Sequence, residues 1–187
     1  RKMNLIKGGV CAAKGFKANG IHCGIRKNRT KRDLALIVSE VPANAAAVYT
    51  TNLVKGAPLT VTKKHIADGT AQAVICNSGN ANTCNANGIE IAEQMSKLIA
   101  DELGIRAEDI VVASTGVIGQ PLSIDPIAAG MAELAEGLSA NGGKAAAEAI
   151  MTTDTVMKEV AVEFEVGGKI CHIGGIAKGS GMIHPNM

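Results

Sequence analysis

Three short segments combine residues able to do chemistry. In ASTGVIG, Ala113 to Gly119, a threonine and two glycines follow an apolar run. Glycine lets backbone N–H groups turn outward at a strand end, where they and the Thr115 hydroxyl could stabilise a developing oxyanion. The plainer reading is an ordinary tight turn, and this segment alone favours it. CNSGNANTCNANG, Cys76 to Gly88, carries five asparagines. Asparagine tolerates left-handed backbone and bonds its own main chain, so a dense loop network is the favoured explanation; a polar wall for a zwitterionic ligand is the other. In GGIAKGSGMIHPNM, Gly174 to Met187, Lys178 stands among Gly175, Gly179 and Gly181, with His184 close behind. A phosphate-binding loop needs its lysine followed by serine or threonine. Lys178 is followed by glycine, so nucleotide binding on that register is rejected. The lysine is then either a solvated charge or the partner of a ligand carboxylate.

Other familiar constellations do not occur. His22, His65, His172 and His184 have no metal-ligand spacing with one another, with cysteine or with carboxylates, so no metal is expected. There is no G-x-S-x-G elbow and no readable Ser-His-Asp order. An enzyme built on this chain would have no evident nucleophile of its own.

The elements that must position these segments are legible in outline. LALIVSE (Leu34 to Glu40), AAAVYTT (Ala45 to Thr51), APLTVTK (Ala57 to Lys63) and AQAVICN (Ala71 to Asn77) read as short strands, rich in β-branched residues and separated by turn formers. Ile91, Met95, Leu98, Ile99 and Leu103 recur at helical spacing, with Gly104 as a stop. IVVAS, Ile110 to Ser114, is a continuous apolar run and predicts an interior strand. Helix returns after Asp125 with Pro126 in its first turn, and Ile127, Met131, Leu134 and Leu138 form its apolar stripe. A glycine pair at 142 and 143 separates it from a second helical stretch, KAAAEAIMTT. KEVAVEFEV and KICHIGGIA flank Gly167-Gly168, which predicts a two-residue hairpin turn. The expected fold is one α/β domain of the α+β type over residues 1–187, with mixed sheets layered by helices.

Composition narrows the partners. The 187 residues are 47% hydrophobic but only 2% aromatic, so the core must be aliphatic. Stacking platforms for single-stranded nucleic acid are missing. A net charge of +2 implies no polyanionic partner, and the basic run RKNRTKR, Arg26 to Arg32, reads as an exposed turn. The five cysteines include no C-x-x-C pair and read as reduced, mostly buried thiols of a soluble cytoplasmic protein. No signal segment and no membrane-spanning apolar run are read in the sequence.

Taken together, KGF (14–16), RDLALI (32–37), YTTN (49–52), NSGNAN (77–82), STGVIG (114–119), TTDT (152–155) and AKGSGMIHPNM (177–187) resemble the α chain of the ornithine acetyltransferases, the bifunctional glutamate N-acetyltransferases of arginine biosynthesis. The resemblance runs over essentially the whole chain, with the motifs in the family's order. It implies a fold of the DmpA and ornithine acetyltransferase type, like that of the N-terminal-nucleophile enzymes. It also implies a precursor that cuts itself within P-N-M-A-T-M-L, between alanine and threonine, so that Asn186 and Met187 are adjacent to the cleavage point. The threonine then opens a separate β chain and is the missing nucleophile, with its own α-amino group as base.

The reaction so implied is ping-pong transfer of an acetyl group from N2-acetylornithine to glutamate through an acetyl-threonine, with no cofactor and with acetyl-CoA as an optional co-substrate. Thr115 and Gly116 match the family's oxyanion-hole pair, and Thr152 and Lys178 match substrate-binding positions, Lys178 being suited to an α-carboxylate. The assembly implied is α2β2. Cys11-Ala12-Ala13 departs from the family pattern, where a proline usually precedes KGF, and Thr83-Cys84-Asn85 alters the stretch after NSGNAN. A self-processed aminopeptidase of the DmpA type, with a serine nucleophile, is the alternative. A non-enzymatic subunit completing another protein's fold is the third reading.

Overall fold

The computed structural model describes residues 3–187. Seven strands form two sheets, and four α-helices pack on them. The strands are β1 Met3–Ile6, β2 Phe16–Ile21, β3 Leu34–Asn44, β4 Thr70–Asn80, β5 Ile110–Val117, β6 Lys158–Val166 and β7 Lys169–Ala177. The helices are α1 Ala57–His65, α2 Gly88–Leu103, α3 Asp125–Glu136 and α4 Gly143–Ala149. The mixed α/β class read from the sequence is therefore the class observed. Among the described residues, no helix is long and apolar enough to cross a membrane.

The larger sheet has the order β2-β3-β4-β5. Its β4/β5 pair is parallel and the other pairings are antiparallel. A parallel pair needs a crossover, here supplied by α2, and Gly104 ends that helix in the left-handed conformation with φ 66°. Alternation along β3 splits its side chains between two cores. Leu34 and Leu36 join Ile75, Ile110, Val112 and the buried stripes of α2 (Ile91, Met95, Ile99) and α3 (Ile127, Met131, Leu134). Ala35 faces the other way, with Ala18, Ala146 and Ala149, where α4 lies against β2. That second core is made of small residues because the backbones almost touch: a Cβ on Gly20 would run into the carbonyl of Ala145.

The smaller sheet, β1-β6-β7, is antiparallel throughout. Gly167 and Gly168 close its hairpin with φ of 58° and 76°, both positive as expected for this turn.

Several expectations fail for physical reasons. APLTVTK is the helix α1, not a strand. Pro58 fits a helix's first turn, and the helix seals the free edge of β5. The Thr62 hydroxyl donates to the Val112 carbonyl at 2.8 Å and accepts from its N–H at 2.9 Å, while His65 Nδ1 donates to the Ile110 carbonyl at 2.8 Å. An edge strand with unpaired backbone groups needs such cover, and that tertiary demand overrides the β propensity of Thr and Val. AAAVYTT forms no regular element; its end, Thr50 and Thr51, bonds the last residues of the chain, as described below. The helix over KAAAEAIMTT stops at Ala149, and beyond it the Arg26 side chain takes the Met151 carbonyl and the Asp154 side chain the Thr152 N–H. Strands β1 and β2 carry no β-branched alternation and escape detection by pattern. The cysteines are all free, but Cys84 is exposed and the other four are half-buried rather than buried.

Candidate active site

The carboxyl ends of the parallel strands β4 and β5 run side by side, with Ser78 opposite Thr115 and Gly79 opposite Gly116. The register shifts at Gly79 and Asn80. Gly116 has φ 136° and Gly79 φ 102°, and a Cβ on Gly116 would collide with the Gly79 and Asn80 backbone. Two glycines are required for this approach, at a half-exposed strand end where the ladder becomes irregular. In open sheets this edge is where ligands bind. The Ser78 hydroxyl is buried without a partner among the described residues, a cost of about 1–3 kcal/mol.

Asparagines hold this turn from behind. Ser114 Oγ donates to Asn77 Oδ1 at 2.6 Å, and Asn77 Nδ2 to the Asn80 carbonyl at 2.9 Å. Asn80 Nδ2 reaches the Gln120 carbonyl at 3.0 Å, and Asn80 Oδ1 accepts the Asn82 N–H at 2.8 Å. Asn77 and Asn82 are fully buried, and Asn82 and Cys84 adopt positive φ. The asparagine segment is thus a loop network only in part: Cys76 to Asn80 continue β4, and residues 81–87 form the loop before α2.

Arg26 connects this turn to the next predicted segment. Its stem lies under Gly79, where a Cβ would stand 2.8 Å from Arg26 Cγ, and its guanidinium donates to the Met151 carbonyl at 2.7 Å. The loop carrying Arg26 is wound around the fully buried Asp33, whose carboxylate accepts the N–H groups of Cys23 at 2.6 Å and Arg26 at 2.9 Å. Burial, reinforced by Asp33, pushes the Cys23 thiol up to about 12. The basic run is therefore not merely an exposed turn: its first residue is half-buried and structural.

Thr152 follows Met151, and Asp154 gathers what surrounds it. The Asp154 carboxylate accepts from Lys158 Nζ at 2.7 Å, from the Gly179 N–H at 2.7 Å and from the Thr152 N–H at 3.4 Å. The bond from Lys158, then that from Gly179, holds the carboxyl well below the usual range despite its burial. Lys178 Nζ lies 3.8 Å from Asp154 Oδ1 and donates to the Gly179 carbonyl at 3.0 Å. Among the described residues this is the one hydrogen bond that Nζ makes. The Lys178 charge also reaches Cys76 on β4, whose thiol burial raises to about 12 against the lowering effect of that lysine. Thr115, Gly116, Thr152 and Lys178 are thus linked by one run of contacts through Gly79, Arg26 and Asp154.

The last predicted residues lie against the segment that was expected to be a strand. Asn186 bonds Thr51, while Met187 is 75% exposed. Among the described residues no group of three His, Cys, Asp or Glu is placed to hold a metal. A shallow cleft at the start of α2, lined by Lys55, Thr60, Cys84 and Asn87, includes none of the predicted residues. Sequence reading misses Asp33, Arg26 and Asp154. Only Asp154 has a local signal, as an Asx-type residue two positions after Thr152.

The sequence and the fold recur in known proteins. Over 187 residues the chain is 52% identical to the arginine biosynthesis bifunctional protein ArgJ of Symbiobacterium thermophilum, covering 99% of this chain and 46% of that protein. It is 50% identical to the ArgJ of Caldanaerobacter subterraneus over the same shares of each. The chain therefore spans about half the length of the curated relatives it matches. A crystal structure of the ArgJ protein of Bacillus halodurans superposes with a TM-score of 0.90 at 45% identity, over 100% of this chain and 99% of that one. Ornithine acetyltransferase of Mycobacterium tuberculosis, solved in complex with ornithine, superposes with a TM-score of 0.91 at 37% identity, over 99% of each chain. The family model for ArgJ matches residues 17–187, and the chain belongs to the ArgJ family.

Proposed function

We propose that this chain is the α half of a self-cleaving glutamate N-acetyltransferase of arginine biosynthesis, working in the cytoplasm. It supplies the oxyanion cradle and the carboxylate anchor, and a β chain beginning with threonine supplies the nucleophile. The observation that carries the reading is the run of contacts joining the Thr115-Gly116 turn to Thr152 and Lys178, since acyl transfer to and from amino acids needs oxyanion donors and an α-carboxylate anchor in one site. The relatives support the division into two chains. The curated proteins are matched over under half their length, whereas the solved chains are matched over 99% of theirs. A relative crystallised with ornithine supports the substrate class.

The threonine Oγ attacks the acetyl carbonyl of N2-acetylornithine, and its proton passes to the α-amino group. Thr115 and Gly116 stabilise the tetrahedral oxyanion. Its collapse breaks the amide bond and releases ornithine, whose amine takes up the proton. The α-amine of glutamate then attacks the acetyl ester, passes through the same cradle and leaves as N-acetylglutamate, restoring the hydroxyl. Lys178 pairs with the α-carboxylate of both amino acids, and Thr152, as the family resemblance implies, contacts the same head group. Acetyl-CoA would acylate the same threonine, and no cofactor takes part. The assembly is α2β2.

Intact mass spectrometry of the processed enzyme after brief exposure to N2-acetylornithine, before glutamate is added, tests this. One acetyl group is expected on the β-chain threonine, and glutamate should remove it. An unmodified threonine under conditions that trap acyl intermediates would sink the mechanism. Repeating the exposure with acetyl-CoA decides between one donor and two.

A further inference from the structure

We infer that Thr50, Thr51 and Asn52 form a cradle that sets the backbone of residues 184–186 for self-cleavage, a positioning site beyond the oxyanion pair and the nucleophile. The inference rests on the two-chain reading above. Three successive residues hold three successive carbonyls. Asn52 Nδ2 donates to the His184 carbonyl at 2.8 Å, and Thr50 Oγ1 donates to that of Pro185. Thr51 gives both its N–H, at 2.9 Å, and its hydroxyl, at 3.0 Å, to the Asn186 carbonyl. Asn186 answers by donating from Nδ2 to Thr51 Oγ1 at 2.8 Å. The single Thr51 hydroxyl thus donates once and accepts once, as its chemistry permits. The Asn52 N–H donates to Thr50 Oγ1 at 3.1 Å, which closes the cradle on itself.

The held segment is not a strand added to a sheet. Asn186 has φ 44°, in the left-handed region that asparagine tolerates better than other side chains. Pro185 before it has a fixed φ and no N–H to give. The chain therefore leaves Asn186 in a direction set by Thr51 rather than by a ladder. AAAVYTT, with good strand formers, forms no strand: its last two residues, Thr50 and Thr51, bond residues 185 and 186, while the Ala45 N–H donates to the Gly69 carbonyl at 2.8 Å.

Self-cleavage requires the threonine Oγ to meet the carbonyl carbon of the preceding alanine. The Oγ–C bond forms, the C–N bond breaks and the hydroxyl proton passes to the departing nitrogen, giving an ester. One water then hydrolyses the ester, leaving the alanine carboxylate and the free hydroxyl. This step has no separate substrate to bind, so its rate depends on how often the flanking backbone presents the near-attack geometry. A cradle two residues before the scissile carbonyl restricts that backbone.

The test follows the full-length precursor in cell-free synthesis, measuring the rate at which it becomes two chains, and then acetyl transfer by the fully processed protein. Thr51→Val keeps the shape and removes two of the bonds. It is expected to slow processing at least tenfold, while the processed enzyme transfers acetyl groups within about threefold of wild type. Thr51→Ser, which keeps the hydroxyl, should process at nearly the wild-type rate, and Asn52→Ala should be slowed like Thr51→Val. Wild-type processing rates in both Thr51→Val and Asn52→Ala would overturn the cradle, as would equal slowing by serine and valine, which would indicate packing. A wild-type precursor that does not cleave at all would instead defeat the two-chain reading itself.

Discussion

At the scale of single residues, Asp154 does more than any residue named from the sequence. It is 2% exposed and takes the strongest bond of its neighbourhood from Lys158 rather than Lys178. That choice leaves the Lys178 ammonium close enough to be oriented, yet not neutralised by a tight pair. Asp154→Asn keeps an acceptor for the Gly179 N–H and loses the charge. Its expected cost is about 1.5–3 kcal/mol, the range for hydrogen bonds to a charged group, with a rise in KM for both amino-acid substrates larger than the fall in kcat. The sign of the pH dependence follows from the lowered carboxyl pKa. Because the folded state binds fewer protons than the unfolded one, this stability is fully present above the ordinary aspartate value of about 4 and drains away as pH falls below it. Urea melts of the assembled enzyme should therefore separate wild type from Asp154→Asn at neutral pH and bring them together in acid. A constant gap across that range would mean that the carboxylate charge plays no part.

At the scale of elements, the turn after β5 depends on the parallel register with β4. Gly116 cannot carry a side chain at φ 136° with Gly79 against it, whereas Gly119, at φ 70°, has open space where its Cβ would go. Gly116→Ala should displace the turn and lower kcat by about 100- to 1000-fold, the usual loss of an oxyanion donor. Gly119→Ala pays only local backbone strain, of order 1 kcal/mol, and should stay within a few-fold of wild type in the same acetyl-transfer assay. Similar losses from both would place the oxyanion donors elsewhere. This contrast also shows what the sequence can reveal. The glycines of STGVIG, the apolar runs of β3, β4 and β5, the stripes of α2 and α3 and the Gly167-Gly168 hairpin are local patterns and are legible. The collision of Gly116 with Gly79 is not, because it exists only once β4 and β5 are in register. Arg26 is hidden for the same reason, since its partner Met151 is 125 residues away. α1 is misread because its role is to cap another element's edge. Asn19, which ties the weakly patterned β2 to the α3 carbonyl of Leu134 at 3.0 Å, shows the same dependence on a distant partner.

At the scale of the whole molecule, the smaller sheet has two unlike faces. Ala161 and Gly174, paired across β6 and β7, turn toward the 9–12 segment, where a Cβ on Gly174 would strike the Gly9 carbonyl. The opposite face carries Leu5, Val162 and Ile173 in one cross-strand row, Met3 and Phe164 in the next, and Val160 beyond. Leu5 is 80% exposed, Met3 66%, Ile173 57% and Val160 55%. Contiguous apolar surface of this kind on one face of a sheet marks an interaction site, and under the two-chain function proposed above its cover would be the β chain. The chain produced alone should therefore bind a hydrophobic dye such as ANS strongly, and co-production with the β chain should abolish that signal. Ile173→Lys places a charge in the middle of the row, while leaving the Gly116 turn and Lys178 untouched. It should weaken association of the two chains by at least tenfold in gel filtration at low concentration, with kcat per assembled complex nearly unchanged. If dye binding persists in the complex and Ile173→Lys assembles as tightly as wild type, the β chain does not cover this face.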